Sequence, residues 1–62
     1  MTDPLVIQAT ANILFHGFPD DAQRIAGMLA CDSLVAGSAD RARMWNDVAA
    51  KLGVLFEQNR IH

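Results

Sequence analysis

Cysteine occurs once, proline twice and glycine four times in these 62 residues, and tyrosine is missing. The lone thiol, Cys31, excludes an internal disulfide. Its soft or imidazole company is limited to His16 and His62, which lack the spacing of a zinc site, so no metal is expected. The glycines at 17, 27, 37 and 53 stand alone, which excludes a glycine-rich phosphate cradle, and no other cofactor motif is present. No run approaches the ~20 apolar residues that span a bilayer. No basic leader is expected either, since Asp3 stands where its charged start would be. With a free cysteine, this makes the cytoplasm the expected compartment and a membrane partner unexpected.

Positive charge is scarce in the first two thirds. Residues 1–40 hold five aspartates against Arg24 alone, whereas residues 41–62 hold Arg41, Arg43, Lys51 and Arg60 against Asp47 and Glu57. The net charge is −2. An acidic balance argues against general affinity for nucleic acid. Catalytic constellations are missing too. Asp20 and Asp21 are adjacent, so on a helix their side chains diverge rather than form a hydrolytic pair. Cys31 has no neighbouring base, because His16 belongs near the far end of a helical hairpin. No enzyme activity is expected from a chain too short to enclose a substrate pocket and keep a core.

What is present is apolar: 52% of the residues are hydrophobic, too many for a disordered chain. The pattern reads as one small all-α domain of three helices, about 4–16, 20–36 and 39–60, joined by short turns. Asp3 and Pro4 are an N-cap and a first helical residue, and Gly17 is positioned to end the first helix with positive φ. Residues 4–19 carry no formal charge apart from any on His16. Val6, Ile7, Ala11, Ile13, Leu14 and Phe15 spread over an arc wider than one neighbouring helix can cover.

Phe18-Pro19-Asp20-Asp21 is the first connection, with Phe18 expected to fold back over it and Asp20 to pair with Arg24. The second helix has a stripe of Ala22, Ile25, Leu29 and Ala36, flanked by Met28 and Val35. Asp32 falls inside that stripe, and a pair with Arg41 is one way to satisfy it. Gly27, with Ala26 and Ala30 nearby, offers close approach to another helix. Gly37 and Ser38 then read as a helix stop and a new N-cap, implying a tight antiparallel pair.

The third helix is the longest, about 30 Å. Trp45, Val48, Leu52, Leu55 and Phe56 share one face, while Asp47 and Lys51 are spaced for an i,i+4 pair. Val54 and Ala50 lie on the other side, joined by Ile61 if the helix continues. A core this small buries only roughly 60% of its unfolded surface, so an open bundle completed by a second copy is expected. Ile13, Leu14, Phe15, Trp45, Val48, Leu52, Leu55 and Phe56 are the candidate core and interface residues of such a dimer. Of these, Leu52, Leu55 and Phe56 are the ones expected to reach a partner. The functional expectation is a non-enzymatic adaptor or regulator working through protein–protein contact, with itself or with another protein. The rival is a helix-turn-helix DNA-binding protein using Arg41, Arg43 and Asn46 near the start of the third helix, with Lys51 or Arg60 on phosphates.

Overall fold

The computed structural model describes residues 3–60. Ile61, expected on a second surface, His62, weighed as a metal ligand, and the side chain of Arg60, expected on a phosphate, lie outside what is described. The fold is all-α: three helices, α1 (Pro4–Gly17), α2 (Ala22–Val35) and α3 (Ala39–Arg60), with no strand among the described residues.

Each boundary has a local cause. Asp3 caps α1, its Oδ1 accepting the Leu5 N–H at 2.8 Å, and Pro4 sits where a missing N–H costs nothing. The helix runs one residue past the expected stop. Gly17 is helical, and Phe18 ends α1 with φ −137°, its N–H donating to the Leu14 carbonyl. Pro19 then follows Phe18 in a tight turn closed by the Asp21 N–H on the Phe18 carbonyl at 3.1 Å. Proline is as well suited to the second position of such a turn as to a helix start. Its use in the turn moves the beginning of α2 from about residue 20 to Ala22. Asp21, not Asp20, therefore pairs with Arg24, at 2.8 Å on an exposed surface.

The second connection closes as a Schellman motif. The Ser38 N–H donates to the Ser33 carbonyl at 2.8 Å and the Gly37 N–H to the Leu34 carbonyl at 3.0 Å. Gly37 has φ +82°, which a side chain would oppose. Ser38 starts α3 directly, its carbonyl accepting the Ala42 N–H at 3.0 Å. The reversal leaves α2 antiparallel to α3 and alongside it over most of its length. Gln23, at the beginning of α2, reaches the Ala49 carbonyl at 3.3 Å.

Close approach explains which residues α2 buries. Ala22, Ala26, Ala30 and Ser33 are buried, whereas Ile25 and Leu29 are half-buried and Ala36 is exposed. The expected stripe is thus rotated by roughly 60° at 100° per residue. Small side chains let the two backbones come together, and dispersion contacts then accumulate along the seam. Gly53 belongs to it: a Cβ there would stand 3.2 Å from Gln23 Nε2. The Ser33 hydroxyl is satisfied inside its own helix, donating to the Leu29 carbonyl at 2.8 Å. Rotation also resolves the Asp32 conflict. Asp32 and Arg41 are both exposed, and no ion pair joins them, or Asp47 and Lys51, among the described residues.

α1 packs on α3 and scarcely meets α2. Both shorter helices thus lie on α3, and the bundle is open between them. The core consists of Ala11 from α1, Ala22 and Ala26 from α2, and Val48 and Leu52 from α3, ringed by half-buried Ile7, Leu14, Phe15, Met44, Trp45, Leu55 and Phe56. The molecule measures 40 × 22 × 16 Å, elongated along α3.

Candidate interaction surface

α3 supplies the core, so its stripe is not the free surface. Val48 and Leu52 are completely buried within one chain. Leu52, expected at a partner interface, is therefore a residue of the intrachain core. Leu55 and Phe56 do not project uncovered. Phe15 of α1 lies over Phe56 with ring centroids 5.0 Å apart and planes tilted by 58°. Trp45, Leu14, Phe15, Leu55 and Phe56 are all half-buried.

The exposed large apolar side chains sit instead mainly on α1 and on α2, where Met28, Leu34 and Val35 are all more than half exposed. Ile7, Ala11, Leu14 and Phe15 turn toward α3 or its flanks. The opposite side carries Leu5, 72% exposed, Val6, 51%, and Ile13, 70%, with exposed Ala9 between them. At 100° per residue, Leu5, Ala9 and Ile13 form a row at i, i+4, i+8, with His16 alongside. The arc read from the sequence is thus two faces, one used inside the chain and one left outside. Leu5 is absent from the residues singled out by sequence. The signal for it was the charge-free stretch itself, in which Gln8, Asn12 and His16 form only a narrow polar stripe beside Leu5.

Beside this face lies an open groove of about 350 Å³ between the start of α1 and the middle of α3. Its walls are Pro4, Ile7, Ala50 and Val54, with Gln8, Asp47 and half-buried Lys51 at the rim. A shallower hollow of about 220 Å³ lies at the other end, between Phe15, Leu55, Gln58 and Asn59. Phe18 does not fold back over the first connection; it is 54% exposed.

The other candidate residues are dispersed. Arg41, Arg43 and Asn46 are all exposed near the start of α3. They follow a close antiparallel hairpin, however, and not the 90–120° crossing of a helix-turn-helix. Cys31 is exposed on the part of α2 that turns into α3. His16 is at the end of α1 that meets Phe56, where its ring stands edge-on to Phe15 at 5.6 Å. No group of three metal-binding side chains forms among the described residues, and none of the helices is long and apolar enough to cross a membrane. No protein-family model, curated protein or solved structure matches the chain.

Proposed function

We propose that this chain is a small non-enzymatic interaction protein that self-associates and acts as an adaptor or regulator through protein–protein contact. One observation carries the reading: α1 keeps three large apolar side chains, Leu5, Val6 and Ile13, at least half exposed on a helix already packed on its other side. Single exposed apolar residues are ordinary on soluble proteins, but a contiguous row without an intervening charge marks a contact surface. The exposed thiol of Cys31 suits a reducing, cytoplasmic setting.

Sedimentation equilibrium tests the reading. The weight-average mass should rise with concentration from 6.8 kDa toward twice that value. The rise belongs in the micromolar range expected of a small interface. A mass fixed at 6.8 kDa up to several hundred micromolar would reject self-association.

A further inference from the structure

We infer that α1 opens from α3 as a unit while α2 and α3 stay folded, and so serves as a removable cover over one apolar side of the α2–α3 hairpin. The two shorter helices are held unequally. α2 brings Ala22, Ala26, Ala30 and Ser33 into the interior, whereas α1 brings Ala11 alone. Gln23 of α2 donates to the Ala49 carbonyl of α3 at 3.3 Å. No hydrogen bond or ion pair joins α1 to α3 among the described residues. What holds α1 is apolar contact by half-buried Ile7, Leu14 and Phe15 around Ala11, and it scarcely meets α2. A segment with few buried apolar contacts opens at a lower free energy than the whole chain.

The joints differ in the same sense. α2 and α3 are closed at one end by the reversal at Gly37 and pinned toward the other by Gln23. Between α1 and α2, residues Phe18, Pro19, Asp20 and Asp21 are all exposed. The backbone bonds there are local: the Phe18 N–H donates to Leu14 and the Asp21 N–H to Phe18. None reaches α3. Pro19 keeps this joint a break, because in a continuous helix its ring would meet the Phe15 carbonyl. Once off, α1 has no neighbour, and a helix of 14 residues alone is marginal in water. Opening therefore releases the α1 amides together.

The side of α3 so uncovered includes Phe56, which Phe15 covers with ring centroids 5.0 Å apart. α1 itself shows what this strip takes. It is an uncharged helix with apolar side chains at i, i+4, i+7 and i+8, the spacing of Ile7, Ala11, Leu14 and Phe15. Access to the strip is gated by α1, whether or not the chain self-associates.

Hydrogen-exchange mass spectrometry of the full chain below one micromolar tests this. Amides from Gln8 to Phe15 should share one protection factor, at least tenfold lower than that of Ala42 to Leu52. Their opening should also rise with urea less than half as steeply, because only the α1 contact is exposed. Ala30→Gly separates a unit from a weak region. Ala30 is buried on α2 outside the cluster that Ala11 joins, so the substitution weakens the hairpin equally with α1 closed or open. It should speed exchange in α2 and α3 at least threefold and leave α1 unchanged. Equal protection in all three helices, or an α1 that speeds up in step with α2 and α3, would overturn the proposal. So would protection that falls steadily from Phe15 toward Leu5 with Phe15 as slow as α3, since α1 would then only fray.

Discussion

Leu52→Ala should cost about 2–5 kcal/mol, the range for emptying a fully buried leucine site. Leu52 and Val48 are the largest completely buried side chains, and the rest of the innermost cluster is alanine. No bulky neighbour within that cluster is therefore available to collapse into the space. A domain of this length holds roughly 0.05–0.15 kcal/mol per residue of total stability. The loss is of that same size, so a thermal melt followed at 222 nm should lose its cooperative transition or shift down by at least ~10 °C. Leu55→Ala, at a half-buried site, should shift it less. A Leu52→Ala melt within a few degrees of wild type would mean that Leu52 is not the centre of the core.

Ala26→Leu should be nearly as severe for the opposite reason. Ala26 is completely buried on the face of α2 that lies against α3. Added carbons there must push the helices apart or take strained rotamers, which costs about 1–3 kcal/mol. The adjacent residue supplies the contrast. A Cβ built on Gly27 meets nothing within 4 Å, so Gly27→Ala should stabilise the chain by up to ~1 kcal/mol through helix propensity. Thermal melts of the two variants should move in opposite directions, and a stabilising Ala26→Leu would refute close packing of α2 on α3.

These neighbours show where the sequence was legible. Two of the boundary signals were recovered: Asp3-Pro4 opens α1, and Gly37-Ser38 closes α2 and opens α3, whereas Gly17, expected to end α1 with positive φ, is helical. Pro19 has two good uses, at a helix start or inside a turn, and the choice depends on how α1 and α2 are joined in space. The stripe of α2 was drawn through Ile25 and Leu29 because large apolar residues dominate a helical wheel. The packed face was instead selected by size, since Ala22, Ala26 and Ala30 permit an approach that the larger side chains forbid. The wide arc of α1 was visible as excess apolar surface. Which half would meet α3 depended on Phe15 reaching Phe56, a contact between residues far apart in the chain. That contact moved the candidate surface from the end of α3 to the outside of α1.

The separation of core from interface is the central point, and the helix content of the chain on dilution tests it most directly. Val48 and Leu52 are buried without help from another copy, so one chain should hold its three helices alone. Circular dichroism at 222 nm, read together with mass from the tens of micromolar down to below one micromolar, should show the ellipticity per residue holding constant as the dimer dissociates. Ellipticity that falls in step with mass would contradict this account, because the core would then be completed only by the second copy.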